Sequence, residues 1–146
     1  MENRLFVNSK LITNNYTQKL IMKTNTFILI VSAYSLILAL PAIFFPDYSL
    51  AYFGISPSVL EEHSLINFIG GYQLLMAYLG YVVYRSTDRE VRRGWLLGIA
   101  FVALFAICVQ QVDVHVRGVK VYSTMYLDEA IWLVMAMAAF YFRGKE

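Results

Sequence analysis

The stretch Thr26–Phe45, TFILIVSAYSLILALPAIFF, decides the fold. It carries no charged residue and runs for about 20 positions, the length at which a helix rising 1.5 Å per residue crosses a hydrocarbon layer of about 30 Å. Three more apolar runs follow, Ser64–Tyr84, Trp95–Val112 and about Met125–Phe142. The links between them, Pro46–His63, Arg85–Gly94 and Asp113–Thr124, are short. Short links favour antiparallel neighbours. The expected fold is all-α: a transmembrane up-down four-helix bundle over residues 26–142, with spans at about 26–45, 64–84, 95–112 and 125–142. No second domain and no internal repeat is visible. Residues 143–146 form a short tail.

Composition agrees. The 146 residues are 59% hydrophobic and only 15% charged, against about 45–50% and 25% in soluble domains. One modest core at this length cannot hide that much apolar surface, which excludes a soluble monomer. High hydrophobicity excludes a disordered chain. The one cysteine excludes an internal disulfide framework, a CxxC redox pair and a cysteine-rich zinc site. A net charge of +2 is too small to point to nucleic acid.

Residues 1–25 differ, being polar and basic. Their apolar clusters, Leu5-Phe6-Val7, Leu11-Ile12 and Leu20-Ile21-Met22, allow a surface-lying amphipathic segment. A frayed polar tail fits equally. The run Thr26–Phe45 is too long for a secretory signal and has no small-residue cleavage motif after it.

Charge placement sets an orientation. Arg4, Lys10, Lys19, Lys23, Arg85, Arg89, Arg92, Arg93, Arg143 and Lys145 lie on one side, and only Arg117 and Lys120 on the other. By the positive-inside rule both termini and the Arg85–Gly94 link are cytoplasmic. The opposite, outer side holds Asp47, Glu61, Glu62, Asp113, Asp128 and Glu129.

Helix contacts in lipid rely on small and polar residues, so their helical phase marks the faces that pack. Ser32, Ser35, Ala39 and Ala42 share a stripe in the first span; Gly70, Gln73, Ala77, Gly80 and Tyr84 share one in the second, with Asn67 beside it. Gly94 and Gly98 form a GxxxG at the start of the third, available to a homo-oligomer or to packing within the chain. Ala103, Ala106, Gln110 and Asp113 align in its outer half. In the fourth, the uncharged run Ala130–Phe142 is too short to cross alone, so the helix reaches back to about Met125 and takes Asp128 and Glu129 with it. These carboxylates fall on the arc of Trp132, Met135, Ala136 and Ala139, away from lipid.

Asn67, Gln73, Gln110, Asp113, Asp128 and Glu129 therefore converge on the outer half of the bundle, with His63, His115, Tyr122 and Tyr126 at its rim. They form either an outward-facing polar pocket or an interhelical hydrogen-bonded network. The two histidines show no helical pairing with each other or the acids, so no metal site is expected. No pattern calls for a cofactor. Cys108 reads as an inert core residue. Arg85, Arg89, Arg92 and Arg93 read as anchors on anionic lipid. Trp95, Tyr84, Tyr141, Tyr48 and Tyr52 read as interfacial aromatic belts. Pro46 and Pro57 bracket a loop suited to the interface, and Pro41 is placed to kink the first span.

Phe44-Phe45-Pro46 followed by Phe53-Gly54-Ile55 resembles the first loop of the small DoxX-like four-span bacterial membrane proteins. So do Gly71-Tyr72-Gln73-Leu74 through Leu79-Gly80, Arg93-Gly94, and the acids Asp113 and Glu129. The resemblance covers about Thr26–Phe142. It implies a four-helix fold in a bacterial inner membrane and a link to quinol-oxidase or redox and stress complexes. The chain departs from a redox role, having no paired cysteines and no histidine within a predicted span.

Two readings of function follow. One is a non-enzymatic accessory or ligand-binding subunit whose partners are the bilayer, a lipophilic ligand or a larger membrane complex. The other is a membrane enzyme doing acid–base chemistry on a lipophilic substrate with Asp113, Asp128 and Glu129. A proton pathway is a third and weaker reading, because the cytoplasmic half offers no acid to continue a relay past Gln73.

Overall fold

A computed structural model describes residues 2–55, 60–118, 120–122 and 124–146, with side chains from Lys23 onward apart from those of Leu60 and Glu61. The described residues form five helices: α1 (Glu2–Phe44), α2 (Pro46–Tyr52), α3 (Leu60–Arg85), α4 (Arg89–His115) and α5 (Met125–Arg143). Four stretches are long and apolar enough to cross a membrane, Lys23–Phe44, Glu62–Arg85, Arg89–His115 and Met125–Arg143. This is the pattern of a multi-pass membrane protein.

The helices extend past the apolar runs, because an apolar run marks where lipid begins and not where backbone hydrogen bonding stops. The link expected over Arg85–Gly94 shrinks to Ser86–Asp88. Asp88 caps α4, its carboxylate accepting from the amides of Glu90 and Val91 at 2.9 and 3.4 Å. At the other end α4 continues to His115, so both histidines sit on helices, at their ends. The loop after Pro46 holds α2, which Pro46 opens at a position where its missing N–H costs nothing. Pro57 lies outside the described residues. So does any side-chain face of residues 1–22, whose backbone from Glu2 is continuous with the α1 helix.

The backbones of the four long helices adjoin in the closed series α1–α3–α4–α5–α1, with α1 against α3 and α4 against α5 the most extensive pairs, and side chains of α1 and α4 meet across the middle. One end gathers Ile28, Val83, Leu96 and Phe142; the middle, Val31, Ile99, Ala100, Met135 and Ala139; the α2 end, Ala42, Leu50 and Ile66. Ser32, Ser35, Ala39 and Ala42 are all buried on α1. Opposite them, a Cβ on Gly70 would stand 2.9 Å from Ala42 Cβ, and one on Gly80 2.1 Å from Ser32 Oγ. Gly94 and Gly98 behave otherwise: a Cβ on either meets no atom of the described residues within 4 Å. Among the described residues they pack against nothing, because the α4 face that closes on the bundle runs through Leu96, Ile99, Ala100 and Ala103.

Burial is inverted relative to a soluble protein. Phe68, Phe101, Ile37 and Val134 are 60–74% exposed, while Ser32, Ser35, Arg92 and Asp128 are buried. Large apolar side chains outside and polar ones inside suit a solvent of lipid tails. Cys108 lies outside as well. It follows Phe101 and Phe105 on the outward face of α4, which corrects its reading as a core residue.

Candidate functional site

The α2 end brings together residues from four elements. Asp128, one turn into α5, is 6% exposed. The Tyr52 hydroxyl, at the end of α2, donates to its Oδ1 at 2.8 Å. The Tyr122 hydroxyl approaches Oδ2 at 3.5 Å and itself accepts from Gln110 Nε2 of α4 at 2.8 Å. Thr124 Oγ1 donates to the Tyr52 carbonyl at 3.2 Å, tying the α4–α5 link to α2. Among the described residues no Lys, Arg or His forms an ion pair with Asp128.

Local structure aims these groups. Helix α2 ends in a Schellman turn, the Ile55 amide reaching Leu50 O at 3.0 Å and the Gly54 amide reaching Ala51 O at 3.0 Å. Gly54 has φ +71°, and its Cα lies close enough to Tyr122 that an added Cβ would be 3.1 Å from Tyr122 Cβ. Glycine therefore satisfies both the left-handed backbone and the close approach. Tyr52, Phe53 and Tyr122 pack edge to face in series, with centroids 5.2 and 5.9 Å apart.

The other candidate residues are dispersed. The Glu129 carboxylate accepts from Gln111 Nε2. Asp113 pairs with Arg117 one turn on, at 2.7 Å. His63 pairs with Asp47, fastening the start of α3 to α2. His115 and Asn67 are exposed. Gln73 lies deeper, where Val31, Tyr34, Ser35, Tyr72, Trp132 and Met135 help it line a cavity of ≈ 20 Å³. That volume holds about one water molecule and not a lipid tail. No group of three or more His, Cys, Asp and Glu among the described residues could hold a metal ion.

Tyr52 and Gln111 were not among the sequence candidates. Tyr52 read as a belt residue, and nothing local reveals a partner 76 positions away. Arg92 needs a different correction. It is 3% exposed and does not reach lipid. At the end opposite α2, its Nη2 pairs with Glu146 at 2.8 Å and its Nη1 donates to Asn25 Oδ1.

Burial pushes the Tyr122 phenol up to about 12, helped by the Asp128 charge and opposed by the bond from Gln110. The Tyr52 phenol is raised too, first by burial and then by its bond to Asp128. A folded value above the unfolded one, about 10, means this contribution is complete below pH 10 and lost as pH climbs toward 12. Tyr122→Phe should therefore flatten the fall in stability between about pH 10 and 12, measured by thermal unfolding in detergent. A profile as steep as that of the wild type would show that the Tyr122 phenol is not raised in the folded protein. Compared with protein-family models, curated proteins and solved structures, the chain matches none, so what this site can do rests on its own geometry.

Proposed function

We propose that the chain is a small integral membrane protein, an up-down four-helix bundle with both termini cytoplasmic in a bacterial inner membrane, serving as a non-enzymatic accessory or ligand-binding subunit. The polar cluster around Asp128, at the outer end, is its functional centre. The observation that carries this reading is a carboxylate inside an apolar helix, nearly sealed and held by tyrosine hydroxyls with no basic partner among the described residues. Such groups are expensive in a membrane and mark function more often than scaffolding. The orientation is supported by Arg85, Arg89, Arg92, Arg93 and Arg143 flanking one end, against Arg117 and Lys120 near the other. The DoxX-like resemblance of the sequence supports the same location.

Acid–base catalysis is the less favoured reading. Asp113, Asp128 and Glu129 are each engaged by a different side chain, which offers no shared point where they would act together on one substrate. The small central cavity also favours action through the outer surface over uptake of a lipid into the bundle.

The test is Asp128→Asn in cells lacking the native copy, with folded yield and biological role read separately. We expect a normal yield and a lost role, the latter seen as failed complementation or as lost co-purification in native mass spectrometry. Normal yield with normal complementation would sink the proposal.

A further inference from the structure

All four membrane-length helices meet at the small cavity beside Gln73. Tyr34 and Ser35 come from α1, Gln73 from α3, Val102 from α4 and Trp132 from α5. Gln73 stands eleven residues after Glu62 and twelve before Arg85, so helical rise puts it roughly 16–18 Å from either end of its span. In a bilayer, bulk water does not reach that depth. Ser35 nevertheless keeps a hydroxyl there that is not spent elsewhere. The neighbouring Ser32 returns its hydroxyl to the Ile28 carbonyl at 2.8 Å, a usual outlet for a serine inside a helix. Ser35 makes no such bond and has no hydrogen-bond partner among the described residues. It is 6% exposed and its oxygen is not sealed, so that oxygen faces the cavity it lines. The Gln73 carboxamide likewise has no partner among the described residues.

We infer that this cavity binds one water molecule in the middle of the bundle, shared by the Ser35 hydroxyl and the Gln73 carboxamide where the α1–α3 pair faces α4 and α5. The volume of ≈ 20 Å³ meets the roughly 10–15 Å³ that a single water needs. Its chemistry fits as well, since water donates and accepts, as a hydroxyl and a carboxamide both do. Walls that were wholly apolar would stay dry, whereas polar partners hold a buried water. An ion does not fit, because no charged side chain among the described residues lines the cavity to offset its desolvation. This site is separate from the Asp128 cluster, so neither reading depends on the other.

The test uses the full chain, labelled with nitrogen-15, in bilayers of chain-deuterated phosphatidylcholine. Solid-state NMR follows magnetisation passing from water protons to the protein, and Gln73→Met identifies the Gln73 side-chain signal by its loss. In the wild type that signal should build up as fast as the exposed Gly118 amide. It should outpace the Met76 backbone amide of the same helix by about threefold or more, since only a resident water brings protons to that depth. Ser35→Val, whose methyl groups fill the cavity, should abolish this advantage. Val102→Leu fills the same cavity from α4 and serves where Ser35→Val does not fold. A wild-type Gln73 signal no faster than that of Met76 overturns the inference and shows a dry cavity. Undiminished transfer in a filled variant that folds also overturns it. So does faster transfer to Gln73 from protonated lipid chains than from water, which would assign the cavity to an acyl chain.

Discussion

Arg92→Met should lower stability by about 3–5 kcal/mol, the cost of leaving a buried charge without its partner. The partner is Glu146, whose carboxylate lies 2.8 Å from Nη2 with both side chains less than 5% exposed. The same guanidinium donates to Asn25 of α1 and to the Ser86 carbonyl at 3.3 Å. One side chain thus fastens α1, the start of α4 and the turn after α5. Arg92→Lys should recover only part of the loss, because an ammonium cannot present the fork that reaches Asn25 and Glu146 together. Arg92→Met combined with Glu146→Gln should recover most of it, since removing both charges leaves none stranded. Thermal unfolding of the wild type, Arg92→Met, Glu146→Gln and the double variant in detergent gives the coupling directly. An additive double variant would mean that the pair does not form in solution.

Arg92 also shows where sequence reading stopped. Among Arg85, Arg89, Arg92 and Arg93, composition makes no distinction, and all four suit a lipid surface. Helical phase does distinguish them: Arg92, Leu96, Ile99 and Ala103 are spaced by four, three and four, and all are buried. That signal was legible, but only to a reading that began the helix before Trp95. The apolar run begins at Trp95, whereas Asp88 caps the helix seven residues earlier. The four membrane-length helices were legible because each apolar run is long, and lipid punishes an interrupted one. The α2 helix was hidden because seven residues are too few for a period to stand out. The Asp128 cluster was legible in half. The short uncharged run of the fourth span pulls Asp128 into the helix, and phase turns it inward. Its tyrosine partners come from α2 and the α4–α5 link, and only the three-dimensional fold brings those beside it.

The glycines give a prediction of opposite signs along two helices. Gly70→Ala should destabilise the protein by about 1–3 kcal/mol through overpacking. Its new Cβ would lie 2.9 Å from Ala42 Cβ and 3.3 Å from Ala39 O, neither of which moves without the α1 backbone. Gly80→Ala should cost less, because the nearest atom is the Ser32 hydroxyl at 2.1 Å, a group that can rotate if it gives up its bond to Ile28 O at 2.8 Å. Adding Ser32→Ala to Gly80→Ala should return part of the loss. The remainder comes from Trp95 Cζ2 at 3.0 Å and Ser32 Cβ at 3.2 Å. At Gly98 a Cβ meets no atom of the described residues, so Gly98→Ala should be neutral or should stabilise α4 by up to about 1 kcal/mol through helix propensity alone. Thermal unfolding ranks the three, and native mass spectrometry of Gly98→Ala adds a separate readout. A destabilised Gly98→Ala whose mass falls from that of a wild-type dimer would show that a second copy covers the Gly94–Gly98 face. Unchanged mass and stability leave that face to lipid, and the packing glycines of this chain are then those between α1 and α3.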